Sequence, residues 1–278
     1  MISGIGKHLY QRGTFGESSE IKCIHAAKHD KKGNMSNNKV EKIAYFFGWF
    51  LLGPLNLSLE HVKKKLKKRS LGSVSSGQRL IIANFAGLVS LLLKLDGGPT
   101  KKSISRASQL VCKAFRLDAN STSAIESLFE EFLGSSLSFE GLVATLPNLL
   151  GDDQKNRNQF FELLVYIVDN VSGLKWEKKL LLLKVADSLN VPLGARKILL
   201  GGGHSRATDK RGFNRSDFYL LFFGLPVDCD REQIHRQYRR IVKTIHPDLY
   251  PDVPVDVKKA RMTAMQELNR LYQYLIES

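Results

Sequence analysis

Pro247 is the residue that most limits how this chain can fold. It lies between two stretches with helical apolar spacing. A proline there offers no backbone N–H and pushes the residue before it out of the α region. The first helix must therefore stop at His246, and the second must begin again in a new direction. His246, Pro247 and Asp248 are expected together on a short, stiff turn between two antiparallel helices.

The helix before the turn has a legible start and two distinct faces. Asp230, with Gln233 three residues on, forms a capping-box pattern with Asp in place of the usual Ser or Thr. At 100° per residue, Ile234, Tyr238, Ile241 and Ile245 lie within about 60° of one another. Arg236, Arg239, Arg240 and Lys243 occupy about 100° of the opposite face. The acids of this helix, Asp230 and Glu232, sit in its first turn, where the helix dipole favours them. No acid at i,i+4 spacing is expected to neutralise the later basic residues. A face so uniformly positive points to an acidic protein partner. Beyond the turn, Met265, Leu268, Tyr272 and Leu275 repeat the helical spacing. A short helix over 218–223 precedes Gly224-Leu225-Pro226 and completes a three-helix unit.

This arrangement resembles the J domain of the DnaJ family, the module that drives Hsp70 chaperones through ATP hydrolysis. The resemblance implies that His246, Pro247 and Asp248 trigger hydrolysis by a DnaK-type Hsp70. It also implies that Tyr238, Arg239, Arg240 and Lys243 dock on that partner, with Arg236 behind them. No nucleophile elbow, phosphate-cradling glycine loop or paired-histidine metal motif is present. Pro247 also keeps the His and Asp on a loop rather than beside a substrate pocket. The chain is expected to accelerate another protein's chemistry and not to be an enzyme itself.

From about 78 to 200 the sequence reads as successive amphipathic helices, over 80–95, 104–115, 123–133, 139–149, 159–171 and 177–189. Gly, Pro, Asn and Asp punctuate them. Two segments echo each other: LLLKLDGGPTKKS and LVYIVDNVSGLKWEKK. Each is an apolar helix ending at an Asp, then a short turn and a second helix. The pair is similar to the TerB-like helical domain that precedes a C-terminal J domain in the membrane-anchored DjlA co-chaperones. In that family such turns often carry Asp-Gly and a later Glu, able to bind a divalent metal through hard oxygen ligands. Here Asp96 and Asp169 remain, but Ser103 stands where the first Glu would fall. Asn170 replaces the second Gly, and Glu177 is shifted by one position. No metal and no other cofactor is assigned, and capping of helices or turns is the alternative role for both aspartates.

The formal charge of +15 raises nucleic acid and anionic membrane as partners. Much of it sits in one block, Lys63, Lys64, Lys65, Lys67, Lys68 and Arg69, without the interleaved aromatics that stack on bases. No specific nucleic acid is therefore expected. Just upstream, 43–59 carries no charge until Glu60, is rich in aromatics and is broken at Pro54. It is slightly shorter than the roughly 20 residues of a spanning helix. An apolar run followed by a basic block suits an anchor at the cytoplasmic side of the inner membrane. If the run is not an anchor, the expected location is the cytoplasm. The 3 cysteines, Cys23, Cys112 and Cys229, are far apart and provide no disulfide framework.

The expected organisation is all-α. It comprises a disordered tail (1–38), an apolar segment with the basic block (39–70), a TerB-like helical domain (76–200), a flexible glycine-led linker (201–214) and a J domain (215–278). The competing reading is a membrane-associated adaptor without Hsp70 coupling.

Overall fold

A computed structural model describes residues 74–118, 120–200 and 213–278. The expected tail, the apolar run 43–59, the basic block and most of the linker lie outside the described residues. Among those described, there are ten α-helices and no strand, so the fold class is all-α.

Six helices form the middle of the chain: α1 (Ser76–Lys94), α2 (Lys101–Ala114), α3 (Ser121–Gly134), α4 (Phe139–Leu150), α5 (Gln154–Ser172) and α6 (Trp176–Ser188). Several begin before their first apolar residue because a polar side chain caps them. Ser75, Thr100, Ser138 and Asp153 each accept a hydrogen bond from a first-turn backbone N–H. Such a cap contributes about 1 kcal/mol. The early starts of α1, α2 and α5 follow from this. The sequence expectation dated each helix from its hydrophobic period, which misses a polar first turn.

Around α1 pack α3, α4 and α5. Phe85 meets Phe115 and Phe160 edge to face, at centroid distances of 5.4 and 5.2 Å. Asn84, buried on the same helix, donates to Leu142 O at 3.1 Å and Thr145 Oγ1 at 2.7 Å, which satisfies its amide nitrogen inside the core. Among the described helices, Ser76–Lys94 is long and apolar enough to cross a membrane, with a mean hydropathy of 1.4. Within this fold 61% of that stretch is buried by its neighbours.

After a short α7 (Leu193–Arg196) and a 3-10 turn (Lys197–Leu200), three helices complete the chain: α8 (Arg215–Phe222), α9 (Arg231–Ile245) and α10 (Val255–Glu277). Asn214 and Asp217 form a capping box at the start of α8. Gly224, at φ 75°, ends that helix in a conformation that side chains resist, and the Leu225 N–H reaches back to Leu220 O at 2.9 Å.

The middle and C-terminal helices share one continuous apolar core from Ile82 to Leu275. α10 is the shared element, packed on α9 and α8 on one side and on α6 on the other. Ala260 and Ala264 let it be buried from both sides. Trp176 adds an edge-to-face contact with Phe222 at 5.9 Å. Polar pairs fix the register. Asp256 accepts from Lys94 Nζ at 2.8 Å and from the Leu137 N–H at 3.3 Å. Thr263 donates to Glu140, and Arg270 reaches Asp187 at 2.8 Å.

Candidate functional site

Geometry at the turn follows from Pro247. His246 leaves the helix at φ −56°, ψ 130°, while its N–H still donates to Val242 O at 3.0 Å. Pro247–Leu249 then forms one 3-10 turn. The Leu249 N–H closes on His246 O and the Tyr250 N–H on Pro247 O, each at 3.1 Å. Asp248 donates its N–H to His246 Nδ1 at 3.3 Å. Its carboxylate, 86% exposed, stands 3.6 Å from that same nitrogen. The turn thus holds its shape through backbone and ring nitrogen, leaving the carboxylate available to a partner.

The capping box of Asp230 and Gln233 is present, and Ile234, Ile241 and Ile245 are buried. Arg236, Arg239, Arg240 and Lys243 are exposed. One detail corrects the sequence reading: Glu232 lies 3.8 Å from Arg236 at i,i+4 spacing, so this arginine does have an acidic neighbour. Both side chains are largely exposed, and such a pair contributes about 0–1 kcal/mol. Among the described residues, no acid lies within ion-pair distance of Arg239, Arg240 or Lys243. Tyr238 is half-buried. Its hydroxyl donates to Asn269 Oδ1 at 2.8 Å and its ring stacks on Tyr272 at 4.2 Å. Burial first, and the neighbouring Tyr272 second, push its phenol up from the ordinary value. Tyr238 therefore positions α9 on α10 as well as bordering the basic face.

Beside the turn lie residues that the sequence did not single out. Tyr250 donates its hydroxyl to Thr244 O at 3.1 Å, and its ring faces the Arg261 guanidinium at 3.5 Å. Arg261 is buried and pairs with Glu177 Oε1 at 2.7 Å. The available signal was an arginine flanked by Ala260 and Ala264 in the core-facing register of α10. A cation there requires a buried partner.

The echoing turns of the middle helices do meet in space, through a lysine. Lys178 is fully buried and bonds Asp96 Oδ2, Ser172 Oγ (2.7 Å) and Gly173 O (3.3 Å). Lys175 takes the other Asp96 oxygen at 2.9 Å. Asp169 is exposed, and Ser103 is bonded to Thr100. Asp96 thus joins two helical turns by an ion pair, where the sequence suggested a cap. Among the described residues, no three His, Cys, Asp or Glu side chains converge as a metal site.

No family model, no curated protein and no solved structure matches this chain.

Proposed function

We propose that this chain is a co-chaperone of the J-domain type that stimulates ATP hydrolysis by a DnaK-type Hsp70. What supports the reading is a conjunction on one solvent-facing surface. The cations Arg239, Arg240 and Lys243, with Arg236 beside them, lead to a turn whose carboxylate is exposed while its backbone is internally bonded. The basic helix supplies attraction to an acidic surface, and the turn supplies a rigid contact whose ordering cost is already met. His246, Pro247 and Asp248 act on the partner's ATPase, and no bond is made or broken on this chain. α10 packs against the middle helices, while Arg236, Arg239, Arg240 and Lys243 stay exposed.

The test is single-turnover ATP hydrolysis by a DnaK-type Hsp70 with and without the full chain. Acceleration is expected. Binding without acceleration would favour the adaptor reading, and neither binding nor acceleration would end both.

Charge reversal probes the docking surface separately. The double variant Arg239→Glu, Arg240→Glu should raise the half-saturating concentration about tenfold at low ionic strength, and less at high salt, where screening shortens the reach of the field. A salt-independent effect would remove steering from the proposal.

Membrane attachment is proposed from 43–59 and the basic block. Full-length protein should stay with membranes after carbonate extraction. Quantitative release would place it in the cytoplasm instead.

A further inference from the structure

We propose that Arg261 is a positioning residue through which the middle helices hold the His-Pro-Asp turn in shape. This goes beyond the proposed Hsp70 coupling and rests on it for its functional readout. Tyr250 follows Asp248 by two residues, and its hydroxyl donates to Thr244 O at the end of α9, at 3.1 Å. One side chain therefore spans the tripeptide from its far side to its near side.

The ring of Tyr250 is held in turn by the Arg261 guanidinium, 3.5 Å from its centroid. Both hydrogen bonds made by Arg261 go to the middle helices. Nη1 donates to Glu177 Oε1 in the first turn of α6 at 2.7 Å, and Nη2 donates to Leu95 O just past α1 at 2.8 Å. Side-chain exposure is 4% for Arg261 and 9% for Glu177. Tyr250 is also close enough to Lys175 to add, after Asp96 and Glu177, to the effects that keep that ammonium charged.

A buried ion pair is a poor adhesive, because desolvation offsets its attraction and an apolar pair often serves as well. If the C-terminal helices only needed to stick to α6, the edge-to-face contact of Trp176 with Phe222 on α8 and the apolar core around it would suffice. What a guanidinium adds is a rigid plane with donors at its edge. The edge is fixed by Glu177 and Leu95 O, and the face is left for a ring. Lysine could supply the charge but not the plate. Fixing Arg261 from the middle helices therefore fixes Tyr250, and Tyr250 fixes the separation of Thr244 from the residues just after Asp248. The C-terminal unit, in this view, works at full strength only while it is docked on the middle helices.

The experiment uses the full chain with Tyr250→Phe, Arg261→Lys and Arg261→Met. Backbone hydrogen exchange at Leu249 and Tyr250 is read beside single-turnover ATPase stimulation of a DnaK-type Hsp70. Exchange at these two amides should quicken several-fold in Tyr250→Phe and more in Arg261→Met, while Ile241, inside α9, stays protected. Maximal stimulation should fall with the half-saturating concentration unchanged, because the basic face is untouched. Arg261→Lys should resemble Arg261→Met, as the plate is lost although the charge remains. Should Arg261→Met fail to fold, Tyr250→Phe, which removes one exposed hydroxyl, still decides. Unchanged exchange in Tyr250→Phe, or a shift in half-saturation with full maximal stimulation, overturns the brace. If the wild type does not stimulate any Hsp70, the functional reading fails while the exchange data still judge the brace.

Discussion

Asp248→Asn is expected to reduce Hsp70 stimulation to the unstimulated rate while leaving helix content and thermal midpoint unchanged. The substitution keeps volume, branching and backbone. The one hydrogen bond that ties residue 248 into the turn is its N–H to His246 Nδ1, and asparagine retains it. The carboxylate is 86% exposed and, among the described residues, its one charged neighbour within ion-pair distance is the His246 ring at 3.6 Å. Removing its charge therefore costs the free protein little, since an exposed pair contributes about 0–1 kcal/mol. On a partner the balance differs. A carboxylate desolvated against a cation or buried donor contributes several kcal/mol, and removing it strands the opposing group. Loss of activity without loss of fold would then locate the effect at the contact.

His246→Gln should lose stimulation for a second reason, because Gln lacks a nitrogen acceptor at the position of Nδ1 and loosens the turn as well. Circular dichroism and a single-turnover assay on the same preparations make the comparison. Full stimulation by Asp248→Asn would remove the turn from the mechanism.

The turn was legible because proline acts locally. Ending α9 at His246 needs no knowledge of the rest of the chain, and the capping box of Asp230 and Gln233 is equally local. The faces of α9 followed from angular arithmetic alone. What escaped was the acid neighbouring Arg236, although Glu232 to Arg236 is a spacing visible in the sequence.

More of α10 was hidden. The spacing of Met265, Leu268, Tyr272 and Leu275 gave one apolar stripe, yet Asp256, Arg261, Thr263 and Glu267 are also buried. Each of these has its partner far away in sequence, save Glu267, which pairs with Arg270 next to it. Equating polar with exposed misses any interface built from complementary charges, because burial there is decided by the partner. The contact between α10 and α6 was invisible for that reason. So was the brace through Arg261, which needs three elements at once.

The largest stability effect is expected at Asp96. Lys178 is fully buried, with Asp96, the Ser172 hydroxyl and the Gly173 carbonyl around its ammonium. Burial pulls this lysine below its ordinary range, and Asp96 opposes the fall. Asp96→Ala leaves the ammonium facing two neutral oxygens; because Asp96 itself is partly exposed, the loss falls toward the low end of the about 3–5 kcal/mol that breaking a buried pair costs. The pH dependence has a definite sign. Because the folded value lies below the unfolded one of about 10.4, the unfolded chain binds more protons between the two. Stability from this group therefore rises with pH. Removing Asp96 lowers the folded value further and extends the window toward neutrality. The deficit of Asp96→Ala against wild type should accordingly be largest at neutral pH and shrink under alkaline conditions. Lys178→Met in the same background removes the stranded charge and should recover most of the loss, leaving only a small pH-dependent remainder from the exposed Lys175, whose pKa Asp96 also raises. Urea midpoints for the three proteins at neutral and alkaline pH supply the comparison. A wild-type midpoint for Asp96→Ala, or a double variant no better than the single, would show that the buried ammonium does not join these two turns.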